Sequence, residues 1–210
     1  FDGPHPAGLP GTHIHRLAPV GGGRVVWHVG YQDVIAIGHL LATGRLWTER
    51  VVALAGPGMR DPRLVRTRLG ASLDDLTAGE LDDGDFRIVS GSVLGGREAG
   101  FLGRYHTQIS VLPAVRETAR LPILTRLLDN GCNVPPPLIP LAAFERAMVF
   151  DVLPVPLLRA LSVRDAAAAE RLGCLQLIEE DMALLSYVCA SKTDYGALLR
   201  SVLDDLEEGK

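Results

Sequence analysis

Three of the six histidines, His5, His13 and His15, crowd into the opening stretch FDGPHPAGLPGTHIH. An H-x-H pair on a strand or loop is a workable spacing for two imidazole ligands to one metal, with a carboxylate from Asp2 or Asp33 as a further ligand. Such a set points to a metal-dependent hydrolase. The same imidazoles can instead line a ligand site as hydrogen-bond donors. The glycines here suggest a phosphate cradle, but there is no GxGxxG and no Walker lysine. Pro4, Pro6 and Pro10 also remove amide donors, so a nucleotide cradle is not expected.

Two further groups carry possible chemistry. Arg50, Arg63, Arg66 and Arg68 fall along one apparent hairpin and form a basic edge. That edge is either a solvated face or a docking surface for an acidic partner, with Arg63, Arg66 and Arg68 as the docking candidates. Cys174 and Cys189 lie among short helical patterns, as do the ligands of ferredoxin-type clusters spaced C-x2-C-x2-C-x3-C. Counting back from Cys189, the other ligand positions hold Leu185, Met182 and Glu179, none of which supplies a thiolate. No Ser/His/Asp or Cys/His arrangement has a nucleophile motif around it, and no residue is expected to be catalytic.

These groups need elements to hold them. Residues 1–15 have no regular period and predict a loop, with Thr12 able to cap the next element. Val25, Trp27 and Val29 alternate in 24–29 and predict a strand after the Gly21-Gly22-Gly23 turn. Residues 31–42 space Val34, Ile35, Ile37, Leu40 and Leu41 as a helix closed by Gly44. This strand, turn and helix look like the tail of an α/β domain whose body lies upstream. The chain is then organised around 48–76: a strand at 48–55, a Gly-Pro-Gly break, and a second strand at 63–69. There Val65, Thr67 and Leu69 face a core and Arg66 and Arg68 face solvent, and a short helix comes next with Ser72 as its cap. Further strands are expected at 86–89 and 105–112, around the glycine-punctuated loop 90–96. Residues 113–140 hold six of the fourteen prolines and predict a connector. Beyond 141 the pattern is helical, at 157–161, 165–172, 179–188 and 195–206, with Asp165 or Ser162 capping the second and Thr193-Asp194 the last. The fold class is α+β.

Composition narrows the function. A net charge of -4 disfavours a protein that grips nucleic acid or anionic lipid. Three cysteines, with no CxxC, fit a reducing compartment. The apolar run 34–41 is interrupted by Gly38 and His39 and falls short of the roughly 20 residues a bilayer span needs. No signal peptide is evident, and Phe1 in place of Met suggests a piece of something longer.

FDGPHPAGLPGTHIH, YQDVIAI (31–37), TERVVALAGP (48–57), PRLVRTRLGASL (62–73), SGSVL (90–94), LGRYH (102–106), SYVC and YGALLR together resemble one family. It is the NqrA component of the bacterial sodium-translocating NADH:quinone oxidoreductases, and the likeness covers its C-terminal half. That family is similar to the RnfC component of the Rnf complex and to the flavin-binding NADH component of complex I. The resemblance implies a cytoplasmic, peripheral location on the bacterial inner membrane, in a six-subunit respiratory pump that oxidises NADH, reduces ubiquinone and exports sodium. It implies no FMN and no iron–sulfur cluster on this chain, and the other subunits as partners. Mapped onto this sequence, 1–46 would end a degenerate flavin-type α/β domain and 47–112 would be a β-grasp domain of the soluble-ligand-binding type. Residues 113–140 would be the connector and 141–210 a ferredoxin-like helical domain without a cluster. The resemblance also implies either a structural role or a ubiquinone contact; for the latter, His5, His13, His15, Tyr105 and His106 are the donors to consider.

Overall fold

A computed structural model describes residues 1–21, 23–114 and 138–209. Most of the expected connector, 115–137, lies outside the described residues. The described chain forms two compact units, one of residues 1–28 with 138–209 and the other of 29–114.

The second unit is built on a five-stranded sheet. Strands β1 (Glu49–Ala55) and β2 (Arg63–Arg68) form the expected antiparallel hairpin, Val52 opposite Val65. Helix α3 (Leu73–Thr77) comes next, and the Ser72 hydroxyl accepts the Asp75 amide, as its position predicted. Strands β3 (Phe86–Ser90), β4 (Arg97–Glu98) and β5 (Gln108–Pro113) complete the order β2-β1-β5-β3-β4. β5 runs parallel to β1 and antiparallel to β3. A hairpin, a crossing helix and a last strand laid parallel to the first is the β-grasp arrangement.

Its core is Val52, Leu54, Met59, Leu73, Leu102, Ile109 and Val111. Each fully buried aliphatic side chain there contributes about 2 kcal/mol. On β1 the inward face is Arg50, Val52 and Leu54. Arg50 therefore does not belong to the solvent-facing basic edge expected for it. It is only 3% exposed, because period two places it on the core side with Val52. β2 behaves as expected, Arg66 and Arg68 outward and Val65 and Thr67 half-buried. Charged side chains on this edge strand discourage pairing with another chain.

Helix α2 (Tyr31–Thr43) forms where predicted and ends at Gly44 in the left-handed conformation. It is tied to β1 by polar groups. The Gln32 side chain donates to the Val51 carbonyl (2.8 Å) and accepts from the Val51 amide (2.9 Å). Two residues on, the Ala53 amide donates to Thr107 beside β5. Gln32 therefore takes the place of a neighbouring strand at a point where β5 does not reach.

The first unit is helical. Its elements are α1 (Pro10–Leu17), α4 (Ala142–Ala147), α5 (Pro154–Ser162), α6 (Ala166–Arg171), a 3-10 turn (Cys174–Gln176), α7 (Glu179–Val188) and α8 (Tyr195–Glu207). Asp165 caps α6 through the Ala168 amide (2.9 Å), and Asp194 caps α8 through the Ala197 amide (3.0 Å). Leu157, Leu158, Leu161, Leu185, Leu199 and Phe144 fill the core.

Two expectations near the N-terminus are corrected. The loop predicted across 1–15 ends early, since α1 starts at Pro10. Proline fits the first helical position because its missing N–H is an orphan there anyway. The strand predicted at 24–29 is not formed: after an isolated bridge between Gly21 and Arg24, residues 25–30 join no strand among the described residues.

Candidate functional site

Residues 4–9 fold back onto α1. Thr12 Oγ1 donates to the Pro6 carbonyl (3.0 Å) and His13 Nε2 to the Ala7 carbonyl (2.8 Å), while Phe1 stacks on the His13 ring at 4.1 Å. His15 points elsewhere. Its ring meets the edge of Phe150 (4.8 Å), and its Nε2 lies 3.5 Å from the Asp151 amide. Residues i and i+2 of a helix project on different sides, so the helix that replaces the expected loop separates the H-x-H pair. Among the described residues no three His, Cys, Asp or Glu side chains group as metal ligands. His5 is exposed in the loop.

The group that does meet α1 is Asp181, which sequence reasoning missed. Its carboxylate lies so close to Gly11 that a Cβ there would sit 2.4 Å from Oδ2. Oδ2 accepts the Ile178 amide (3.0 Å), while Oδ1 is buried without a partner. Asp181 thus stands at the N-termini of both α1 and α7, where helix dipoles favour negative charge. The available signal was its place three residues into α7, the acidic position of a capping box. Burial pushes its carboxyl up to about 6, aided by Glu180 and Glu179 and opposed by the Ile178 amide.

That shift has a sign. The folded chain holds this proton more firmly than the unfolded one, so the contribution of Asp181 to stability falls as pH rises from about 4 to about 6 and is flat above. Asp181→Asn keeps an acceptor for Ile178 and removes the buried charge. It is expected to gain about 1–2 kcal/mol at pH 7 and to abolish that slope. Chemical denaturation at pH 4, 5, 6 and 7 reads both, and an unchanged slope would contradict the assignment.

In the sheet unit, Tyr105 is 77% exposed with the Arg104 guanidinium over its ring at 5.6 Å. Its neighbour His106 is held: Nδ1 lies 2.7 Å from Ser90 Oγ, and that buried hydroxyl also accepts the Gly103 amide (2.8 Å). Ser110 extends the polar layer by donating to the Gly91 carbonyl and accepting from Gln108. His5, His13 and His15 belong to the helical unit, and Tyr105 and His106 to the sheet unit. Of the arginine edge, Arg63 forms a two-pronged pair with Glu80 (both 2.9 Å) and Arg66 pairs with Glu49 (3.1 Å). Glu80's hydrogen bonds hold Arg63's pKa above its usual value. The edge is thus partly neutralised from within.

The positions that would complete a cluster with Cys189 are otherwise employed. Met182 and Leu185 are buried in the core, and Glu179 accepts from Arg200. Burial raises the Cys189 thiol, but hydrogen bonds from Ser191 and Tyr195 outweigh it and bring the pKa down to about 7. Burial pushes Cys174 up to about 11.

A β-grasp sheet and a bundle of short helices define a two-unit α+β protein. Residues 1–46 match the family model described as the NqrA second alpha/beta domain, and 51–100 match the NQRA C-terminal domain. The chain is 51% identical over 234 residues to the NqrA component of the Na(+)-translocating NADH-quinone reductase of Pseudomonas aeruginosa. It is 48% identical to that of Cellvibrio japonicus and 46% identical to that of Tolumonas auensis. Each alignment takes in 99% of this chain and 52–53% of the relative. The chain belongs to the NqrA family of the sodium-translocating NADH-quinone reductases. It spans about half the length of the curated relatives it matches.

Proposed function

We propose that this chain serves in a peripheral subunit, on the cytoplasmic face of the bacterial inner membrane, of a respiratory pump that couples NADH oxidation and ubiquinone reduction to sodium export. The observation that carries the proposal is the 51% identity along nearly the whole chain to a relative named as the NqrA component of such a reductase. A peripheral place agrees with the described helices, none of which is long and apolar enough to cross a membrane. The chain's own part is assembly and contact rather than electron transfer. Where relatives with a cluster would need thiolates, Met182 and Leu185 are spent on packing. Partner subunits are met through the exposed parts of the arginine edge, Arg66 and Arg68 with Arg63.

A ubiquinone contact is the finer reading. Of the donors considered, His13 is bound to a backbone carbonyl and His106 to Ser90. His15 is drawn to Phe150 and Asp151. His5 and Tyr105 are exposed. A quinone carbonyl needs such a donor beside apolar surface. Titrating the full-length subunit with a photoreactive ubiquinone analogue is expected to give saturable labelling. Tyr105→Phe or His5→Ala should weaken it about tenfold, the worth of one hydrogen bond. Labelling that does not saturate, or that neither substitution changes, would leave assembly as the role.

A further inference from the structure

The β1–β2 register leaves alternate residues of β2 facing outward. The Leu69 amide donates to the Thr48 carbonyl, so every second pair from there is hydrogen-bonded, Thr67 with Arg50, Val65 with Val52 and Arg63 with Leu54. Leu64, Arg66 and Arg68 lie between them and turn their backbone groups away from β1. β2 ends the sheet, and among the described residues the Arg68 carbonyl alone of this outward set has a backbone partner, the Ala71 amide. The other edge of the sheet, β4, is two residues long and offers no comparable row.

Those same residues share the face of the sheet turned away from the core. Leu64 stands across from Ala53, Arg66 from Val51 and Arg68 from Glu49. Leu64 is 72% exposed, and Val51 diagonal to it is 36% exposed. Arg66 and Arg68 share this face with one carboxylate, that of Glu49, whose pair with Arg66 (3.1 Å) is open to water and exchanges readily. Arg68 has no carboxylate partner among the described residues, and Arg63 is committed to Glu80. An open edge of this kind takes either a second copy of the chain or a different strand. A second copy brings its own arginines. Laid antiparallel about Arg66, β2 on β2 puts the two Arg66 side chains opposite each other and Arg68 opposite Leu64.

We propose that the edge of β2 takes an extended acidic segment of a partner subunit as a sixth strand of the sheet, apolar where it crosses Leu64 and acidic at the alternate positions that cross Arg66 and Arg68. Backbone hydrogen bonds to Leu64 and Arg66 supply the affinity, and the arginines choose the charge. The side chains that discourage indiscriminate pairing thereby become the selective element, because an acidic strand neutralises them. The proposal rests on the reading that partner subunits meet the arginine edge, and adds that they do so through the backbone of the strand, in one register.

Hydrogen exchange on the full-length subunit, alone and in the purified complex, tests this amide by amide. Alone, the amides of Leu64, Arg66 and Arg68 should exchange fast, while those of Val65 and Thr67, bonded to β1, stay protected. In the complex the first three should slow by about a hundredfold. Arg66→Glu with Arg68→Glu should weaken assembly at least about tenfold and return the edge amides to fast exchange, whereas Arg66→Lys with Arg68→Lys keeps both assembly and protection. Charge reversal that weakens assembly while the edge amides of the parent complex stay fast overturns strand addition and leaves the arginine edge as a side-chain contact. Edge amides that stay fast and assembly that ignores charge reversal overturn both. Slowing that survives charge reversal overturns the acidic partner. Edge amides already slow in the subunit alone mean that another part of it holds the edge, or a second copy where protection grows with concentration, and either overturns the proposal.

Discussion

Asp33→Ala is expected to lower the stability of the sheet unit by about 3 kcal/mol, out of proportion to a half-buried side chain on a surface helix. Asp33 pairs with Arg50, whose guanidinium is 3% exposed and whose Nη1 already lacks a partner. Removing the carboxylate leaves a buried positive charge, and Arg104, 4.0 Å from the Asp33 carboxylate, carries the same sign. The cost therefore lies in the arginine left behind. Replacing both members, Asp33→Ala with Arg50→Met, should recover most of the loss, because a well-packed apolar group does not need the pair. Hydrogen exchange read separately over β1 and α2 measures the effect. β1 amides should lose protection in the single variant and regain it in the double. A single variant within about 1 kcal/mol of the parent would refute the buried-charge account. Because Asp33 and Gln32 are the clamp on α2, the same experiment reports whether the helix loosens when half of the clamp is lost.

Gly56→Ala is expected to cost at least about 3 kcal/mol, for a backbone reason. Gly56 follows β1 with φ at +113°, a conformation that side chains rarely adopt. An added Cβ would sit 2.2 Å from the Val111 carbonyl oxygen and 2.8 Å from its nitrogen. Val111 cannot retreat, since β5 is held between β1 and β3 in the centre of the sheet. Gly100→Ala is the control, since a Cβ there would meet nothing within 4 Å. Its melting temperature should match the parent's, while that of Gly56→Ala falls by ten degrees or more, at about 4–8 °C per kcal/mol for a unit of this size. Similar behaviour of the two variants would show that the chain after β1 does not approach β5 this closely.

Much of the fold was legible because its signals are local. The alternation of Val65, Thr67 and the arginines, the cap at Ser72, the aspartates before α6 and α8, and Gly44 after α2 each act within a few residues. Such signals survive without knowledge of what packs against them. The misses share the opposite property. The helix at Pro10–Leu17 was hidden by a glycine- and proline-rich opening, although a proline at the first helical position was a usable sign. Charge groups Arg50 with Arg63, Arg66 and Arg68, whereas the strand's period two puts it beside Val52.

The candidate site was less legible than the fold. Histidines two apart suggest convergence on a strand or loop, and only the helix shows that His13 turns to Ala7 and His15 to Phe150. Asp181 gives little local sign of its role, because its importance comes from Gly11, which lies 170 positions earlier in the chain (181 − 11). Residue types and spacing alone determined the strand and helix periods, the caps, the lack of thiolates at 179, 182 and 185, and the family resemblance, since all of these depend on chemistry within one short segment. Tertiary structure decided which charges are buried, which strand edge is left open, and which histidines point together. Those outcomes depend on which distant segments share a surface, and burial energies are set by that surface rather than by the segment itself.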